Sequence, residues 1–262
     1  MKVLNGGGTL WAGTSGLVLP VPNMAAAPPL FRDKPRLVYY SSIFNSLEIN
    51  SSFYKLPMPA TFGKWGGLVA DDFRFTVKLG RHVTHEKGLA FNPGDVVDFL
   101  KAANRLGSKK GALLLQFPPG LRYTAGHADR LRSLMELIVA DQGADWPLAV
   151  EFRHPSWYIP SVNRLLDSVN ASLVLHDIPA SAVGRPNEGA PFLYLRFHGP
   201  AGDYRGGYTP ETLGVYARQV ADWLAKGKDA YVYFNNTIGD AVKDCLAFVA
   251  ARIPEGAPFG YA

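Results

Sequence analysis

The chain has 262 residues, of which 47% are hydrophobic and 19% charged, and its formal net charge is +5. This balance excludes a disordered chain, and the longest apolar runs are far shorter than the roughly 20 residues that cross a bilayer. The single cysteine, Cys245, excludes an internal disulfide, and the N-terminus lacks the basic and apolar segments of a secretory signal. We therefore expect a cytoplasmic protein without membrane contact.

Eight short segments have the length and composition of β-strands. They are rich in leucine, β-branched and aromatic residues, and nearly all are bounded by Gly, Pro, Asp or Asn. The predicted strands are residues 9–15, 47–53, 73–79, 111–117, 147–153, 171–177, 192–198 and 230–236.

Helical periodicity fills most of the connections between these strands. The connection 178–191 carries Pro and Gly instead, so the sixth helix is expected to be short or missing. The predicted helices are residues 36–46, 61–70, 95–107, 127–140, 159–170, 210–227 and 239–252.

Strands that alternate with helices predict an α/β fold with parallel pairing. Eight such units in this length predict one (β/α)8 TIM-barrel domain over residues 1–262. A doubly wound open sheet is the alternative, but GTSG at 13–16 is too short to be its glycine-rich phosphate turn.

The predicted strands carry polar residues on one face and apolar residues on the other. In the seventh strand, Arg196 and His198 alternate with Leu195 and Phe197. The outside of a barrel is apolar beneath its helices, so the polar side chains should point into the lumen near the C-terminal ends of the strands, where barrel enzymes have their sites. The predicted ring consists of Glu48, Lys78, Gln116, Glu151, Arg153, Arg196, His198 and one or both of His176 and Asp177.

Two interpretations of this ring stay open. The groups either brace the lumen by mutual ion pairing or bind a ligand, and for one residue alone, such as Lys78, neither is favoured. Barrel interiors are usually filled by branched apolar side chains, and each buried ion costs several kcal/mol. The ring as a whole therefore favours a ligand site.

Several segments resemble, in order over nearly the whole chain, those of the YecE-like family, catalogued as domain of unknown function number 72. They include EINSSFY at 48–54, LLLQFPP at 113–119, EFRHPSW at 151–157 and YLRFHG at 194–199. The chain departs from the family pattern at Leu17, where an aromatic residue is usual. The resemblance implies a TIM barrel with no established reaction, whose mouth is built from Glu48, Asn50, Lys78, His85, Gln116, Glu151, Arg153, His154, Trp157, Asp177, Arg196, His198, Tyr204 and Asn235.

These residue types favour acid–base chemistry, a hydrolysis or an isomerisation, on a polar anionic substrate such as a phosphate ester, a sugar phosphate or a nucleic acid phosphodiester. The candidate catalytic residues are Glu151, His198, Glu48 and Asp177. Glu151 is the first choice as general base or acid, unless it serves to hold Arg153. The candidate substrate-binding residues are Lys78, Arg153, Arg196, Asn50, Gln116, Tyr204, Asn235, Trp157 and His85, among which the arginines would bind the anion through their planar guanidinium groups.

Two alternatives keep the chain an enzyme. A glycosidase would use Glu48 and Glu151 as its carboxylate pair, with aromatic side chains stacking on a sugar-like ligand. A metal-dependent hydrolase would hold a divalent ion, for which no HxH or HExxH spacing occurs, and no other cofactor is predicted. The candidate ligands of such an ion are His85, His154, His176 and His198 with the nearby carboxylates.

A third alternative is a noncatalytic barrel that binds an anionic metabolite or nucleic acid. Lysines and arginines are scattered along the chain and not gathered in one block, so such a partner requires them to converge in the fold. Binding of nucleic acid would weaken steeply with added salt.

Overall fold

The computed structural model describes residues 7–141 and 145–251, and every strand pair in this part is parallel. All eight predicted strands are present, the sixth in two halves on either side of Val174. The strands are β1 Leu10–Thr14, β2 Ser46–Ile49, β3 Arg74–Lys78, β4 Lys110–Gln116, β5 Leu148–Glu151, β6 Ala171–Leu173, β7 Leu175–His176, β8 Leu193–Phe197 and β9 Ala230–Phe234.

Helices follow the strands as predicted, except between β7 and β8, where the chain forms turns only. The predicted absence of the sixth helix is therefore confirmed. In the described part of the chain, no helix is long and apolar enough to cross a membrane. The α-helices are α1 Arg36–Ile43, α2 Ser51–Tyr54, α3 Pro59–Gly67, α4 Arg81–Thr84, α5 Pro93–Ala103, α6 Ala125–Ala140, α7 Pro160–Ser168, α8 Pro210–Ala225 and α9 Ala241–Ala251, and short 3-10 turns cover Met24–Ala26, Pro29–Phe31, Lys87–Leu89, Asn104–Lys109 and Pro155–Trp157.

The strands are arranged as two parallel sheets that follow one another around the molecule. Their orders are β2-β3-β4-β5-β6 and β1-β9-β8-β7. A bridge between Ser15 and Glu48 links β1 to β2, and the chain itself passes from β6 to β7. Inside, the Tyr233 hydroxyl lies 2.5 Å from Ser46 Oγ and 2.8 Å from Thr76 Oγ1, so opposite strands meet across the lumen. These features confirm the predicted TIM-barrel fold.

Side chains take the place of strand-to-strand hydrogen bonds at the junction of β1 and β2. Asn45 accepts from the Ala12 amide at 3.0 Å and donates to the Leu10 carbonyl at 2.8 Å. The Tyr40 hydroxyl accepts from the Thr14 amide at 2.7 Å and donates to the Ser46 carbonyl at 3.1 Å. The ladder therefore breaks here without leaving buried backbone groups unpaired.

The second junction is closed in the same way by the connection that lacks a helix. Asn187 accepts from the Leu173 amide at 2.8 Å and donates to the Ala171 carbonyl at 2.9 Å. Ser172 Oγ donates to the Phe192 carbonyl at 2.6 Å. A helix in this connection would carry Asn187 away from β6, so the irregular backbone is what completes the barrel wall on this side.

Replacing Tyr40 by phenylalanine should lower the free energy of unfolding by about 1–3 kcal/mol, because a buried amide and a buried carbonyl lose their shared partner. Chemical denaturation monitored by circular dichroism measures this loss. The matched control is Tyr39→Phe in the same helix, since the Tyr39 hydroxyl makes no hydrogen bond to the described residues. Equal losses in the two variants would contradict the bridging role.

Buried apolar residues form two separate groups on the two faces of the strands. The larger packs between the strands and the surrounding helices. The smaller fills the lower lumen and consists of Trp11, Ala112, Leu114, Ala149, Val174, Phe192, Tyr194, Tyr231 and Tyr233. Because the lower lumen is packed solid, the polar ring above it forms the floor of the C-terminal mouth.

Candidate functional site

Arg196 and two glutamates form the centre of the polar ring. Nε and Nη2 of Arg196 donate to Glu48 at 3.1 and 2.7 Å, and Nη1 donates to Glu151 at 2.7 Å. Glu48 also accepts from Ser15 Oγ at 2.6 Å and from the Tyr194 hydroxyl at 2.5 Å. All three nitrogens of the buried guanidinium are thus engaged. Arg196, predicted to bind substrate, instead ties β2, β5 and β8 together.

Arg153 and His198 extend this network towards the mouth. Nε of Arg153 donates to Glu151, and Nη2 of Arg153 lies 3.0 Å from Nε2 of His198. Nδ1 of His198 lies 3.1 Å from Asp177, which also accepts from the His198 amide and the Tyr208 hydroxyl. The carboxylate of Asp177 accepts a hydrogen bond from Nδ1 of His198, so the imidazole proton is on Nδ1. Nε2 of His198 then accepts a hydrogen bond from Arg153.

Glu151 and His198 each stay in one charge state at neutral pH. Burial alone would raise the pKa of Glu151, but Arg153 and Arg196 outweigh it and hold that pKa well below its usual range. Burial lowers the pKa of His198 to about 4, so its imidazole is neutral. An ionised Glu151 with both oxygens bonded is a poor proton acceptor, which favours its alternative role of holding Arg153 in place.

Lys78 closes the other side of the mouth, at the end of β3. Its Nζ lies 3.9 Å from the centre of the Phe53 ring, which also packs edge-on against His85 at 4.8 Å. Burial, then the charge of Arg196, lower the pKa of Lys78 to about 7. Burial and the charge of Lys78 lower the pKa of His85 to about 4.

Three polar atoms at this rim have no hydrogen-bond partner among residues 7–141 and 145–251. They are Nη1 of Arg153, Nζ of Lys78 and the buried Oδ1 of Asn50. Buried or half-buried polar groups in proteins nearly always have partners, so such groups at one rim indicate a ligand. Two of the three atoms are cationic donors, which an anion fits.

Three further predicted residues lie close to this rim in different settings. Gln116 is buried, and its side-chain amide donates to the Phe117 carbonyl at 2.8 Å. Tyr204 is partly exposed, and its ring lies 5.6 Å from that of His198. Asn235 immediately follows β9 and is nearly buried. Tyr204 is therefore the aromatic residue placed to cover the mouth.

Two residues that the resemblance assigned to the mouth lie elsewhere. Trp157 is buried in the outer core, stacked on Phe152 at 4.5 Å, and its indole nitrogen donates to the Leu121 carbonyl. His154 caps the turn after β5 through Nδ1, which accepts from the Ser156 amide. Trp157, which the resemblance assigned to the mouth, follows the end of β5 at Glu151 and closes the 3-10 turn Pro155–Trp157, whose side chains do not share the inward face of the strand.

Several contributors to the site are not among the predicted site residues. Tyr194 shares the inward face of β8 with Arg196, so the alternation contained its signal. Phe53 was placed in a predicted strand, but β2 ends at Ile49 and residues 51–54 turn as α2. Tyr208, which anchors Asp177, lies in a loop where no periodic pattern applies.

The structure bears on the glycosidase and metal alternatives. Glu48 and Glu151 share one guanidinium, which occupies the space that a glycosidase keeps for the sugar between its carboxylates. This arrangement does not favour the glycosidase alternative. In the described ranges, no group of three or more His, Cys, Asp or Glu side chains is placed to hold a metal ion.

A cavity of about 210 Å³ lies against β7 and β8 beside the connection without a helix, and Val183, Val215 and Tyr216 line part of it. Another, of about 550 Å³, lies between the first loop and α9, with Leu19, Pro22 and Leu246 in its wall. Neither contains the unpartnered atoms of Lys78 and Arg153. The polar rim is thus separate from both cavities.

The order of strands and helices and the polar residues at the C-terminal mouth are those of a TIM-barrel protein with a site at the usual end of the barrel. The family model described as "Protein of unknown function DUF72" matches residues 13–256, and the chain belongs to this family. It is 27% identical to the UPF0759 protein YunF of Bacillus subtilis over 248 residues, 83% of this chain and 86% of YunF. It is 28% identical to the UPF0759 protein YecE of Escherichia coli over 156 residues, which are 58% of this chain and 55% of YecE.

Solved structures agree with the fold. A DUF72 family protein from Thermotoga maritima has a TM-score of 0.74 at 25% identity, covering 92% of this chain and 98% of its own. A D-psicose 3-epimerase from Clostridium cellulolyticum has a TM-score of 0.52 at 14% identity, covering 82% of this chain and 89% of its own. The epimerase is similar in fold alone.

Proposed function

We propose that this protein is an enzyme that binds a small anionic substrate at the C-terminal mouth and performs acid–base chemistry on it. The observation that carries the proposal is the pair of cationic donors, Arg153 Nη1 and Lys78 Nζ, that have no acceptor in the described chain. A phosphate or carboxylate group supplies the acceptors that both lack.

The buried network gives Arg153 the rigidity that such recognition requires. Glu151 and His198 hold its Nε and Nη2, so Nη1 is the nitrogen left to meet a ligand. Arg196 and Asp177 in turn hold Glu151 and His198. A preorganised guanidinium loses little side-chain entropy on binding, which increases affinity for an anion.

Lys78 is the group best matched to proton transfer. Its pKa is lowered to about 7 by burial and then by Arg196, and an efficient general acid or base has a pKa near the working pH. Glu151 and His198 are ionised and neutral respectively, and both are buried. In this proposal they position Arg153, and Lys78 exchanges the proton.

Titration calorimetry with inorganic phosphate and with citrate tests the anion site. We expect saturable binding, and Arg153→Gln should weaken it by about 10- to 100-fold because a charge-assisted hydrogen bond is lost. The control is Arg81→Gln, an exposed arginine that opens α4 at the same rim. Absence of saturable binding, or equal weakening in the two variants, would contradict the site.

Turnover separates the enzyme from a noncatalytic binding barrel. A panel of sugar phosphates, phosphate esters and short phosphodiesters, followed by 1H and 31P NMR, should contain a compound that the wild type converts. Lys78→Met should reduce that conversion by more than it reduces affinity. If anions bind at Arg153 and none of the panel is converted, the binding barrel replaces the enzyme.

A further inference from the structure

Lys78 differs from the other cations of the lumen in having no carboxylate partner. Arg153 pairs with Glu151, and Arg196 pairs with both Glu48 and Glu151. Within the described chain, Lys78 Nζ makes neither an ion pair nor a hydrogen bond and lies against the Phe53 ring. The two carboxylates nearest to it are thus already taken by arginines.

Contacts to both the backbone and the side chain of Lys78 fix its position. It is the last residue of β3, and Ser52 Oγ of α2 donates to its carbonyl at 2.7 Å. That contact fixes α2 above β3 and brings Phe53 over the amine. The side chain is half-buried, so the amine is both desolvated and within reach of a small molecule.

Burial and the charge of Arg196 favour the neutral form of Lys78. Desolvation has the largest influence on its pKa and Arg196 the next largest, and the charges of Glu151 and Glu48 oppose them. At neutral pH a substantial fraction of Lys78 is therefore a free amine, which is the nucleophilic form. The groups that face it are Arg196, Glu151, Glu48, Arg153 and His85.

We propose that Lys78 is a catalytic amine that forms an imine with an aldehyde or ketone substrate, whose phosphate or carboxylate group is bound by Arg153. This inference rests on the anion site of the proposed function. The free amine attacks the carbonyl carbon, the resulting carbinolamine loses its oxygen as water, and a C=N bond replaces the C=O bond. Protonation of the imine nitrogen then makes the neighbouring C–H bonds more acidic, which is the step that acid–base chemistry uses.

Reductive trapping tests the amine. The wild-type protein is incubated at pH 7 with glycolaldehyde phosphate or glyoxylate and sodium cyanoborohydride, and the modified lysines are located by mass spectrometry. Lys78 should be modified at least about 10-fold faster than the exposed Lys55, because at pH 7 only a trace of an ordinary lysine is unprotonated. Modification at Lys78 no faster than at Lys55 would overturn the proposal.

Two further arms separate the amine from the anion site. Neutral glycolaldehyde, which lacks the anionic group, should modify Lys78 about 10-fold more slowly than glycolaldehyde phosphate. In the Arg153→Gln variant the two aldehydes should modify Lys78 at similar rates. Saturable phosphate binding with no selective adduct would overturn the imine and leave the proposed function standing. Equal rates for the two aldehydes in the wild type would overturn recognition by Arg153. A comparison of glyoxylate with glycolaldehyde phosphate shows whether the carboxylate or the phosphate is preferred.

The pH profile gives a readout that needs no variant. The trapping rates at Lys78 and at the exposed Lys55 are followed together. The rate at Lys78 should rise to half its maximum near pH 7, whereas an amine with the ordinary lysine pKa of about 10.4 would still be gaining reactivity at pH 9. Replacing Lys78 by methionine should remove the fast-reacting site and leave the slow adducts at exposed lysines. Parallel profiles at the two lysines would overturn the assignment of Lys78 as the reactive amine.

Discussion

Replacing Arg196 by methionine is expected to lower the free energy of unfolding at pH 7.5 by about 3–5 kcal/mol, because two fully buried carboxylates lose their shared counter-ion. Arg153 still pairs with Glu151, but Glu48 keeps only its bonds to Ser15 and Tyr194. Urea denaturation followed by intrinsic fluorescence measures the change.

The pH dependence of this variant identifies the cause of the loss. Without Arg196, Glu48 is buried with no cation bonded to it, whereas Glu151 keeps Arg153. Since burial penalises only the charged form of a carboxylate, the difference in stability between wild type and variant should narrow as the pH falls from 7.5 to 5.5. Arg132→Met, an exposed arginine on α6, serves as the control and should change stability by less than about 0.5 kcal/mol. A loss below about 1 kcal/mol in the Arg196 variant would contradict the buried network.

The wild-type protein should lose about 2 kcal/mol of stability between pH 7.5 and pH 5 through His198 alone. Burial lowers the pKa of His198 to about 4, whereas in the unfolded chain it is near its ordinary value of 6.5. Below pH 6.5 the unfolded state takes up a proton that the folded state does not, so stability is present above pH 6.5 and falls towards pH 4. His176, whose pKa burial also lowers, adds a loss of the same sign.

Denaturation curves at pH 7.5, 6.5, 5.5 and 5.0 measure this dependence. In His198→Gln the fall in stability over this range should be smaller by about 2 kcal/mol, whatever the variant's stability at pH 7.5. His127→Gln, on the surface, should keep the wild-type slope. The depressed pKa of Glu151 contributes only at lower pH, since that carboxylate gains its proton below the ordinary range. An unchanged slope in the His198 variant would contradict a buried neutral imidazole.

The two halves of the polar ring have different roles in this interpretation. The inner half, around Glu48, Arg196 and Glu151, is buried, and each nitrogen of the Arg196 guanidinium donates to a glutamate, so it braces the lumen. The outer half, Arg153 and Lys78, keeps polar atoms without partners in the described chain. The bracing and ligand-binding interpretations of the ring therefore apply to different members of it. Only the outer half is proposed to meet a substrate.

The order of strands and helices, the missing sixth helix and the inward faces of the strands were all predictable from the sequence. These properties depend on short-range regularities, because strand residues alternate with a period of two and a Pro- and Gly-rich segment cannot hold a helix. The direction of Glu48, Lys78, Glu151 and Arg196 into the barrel follows from that alternation alone. Beyond the strand ends the alternation does not apply, and the burial of Trp157 in the outer core followed from no local pattern.

Which charges neutralise one another depends on the folded arrangement of the strands and could not be predicted from the sequence. Arg196 meets Glu48, 148 residues away in the chain, and leaves Lys78 with an aromatic ring as its neighbour. The roles of Tyr40 and Asn187, which replace strand hydrogen bonds at the two junctions, also depend on contacts between residues that are distant in the chain. Such pairings depend on the distances that side chains span across a closed wall, and no local pattern of residues encodes those distances. The physical reason is that charge pairing falls off over a few ångströms in space and is indifferent to separation along the chain.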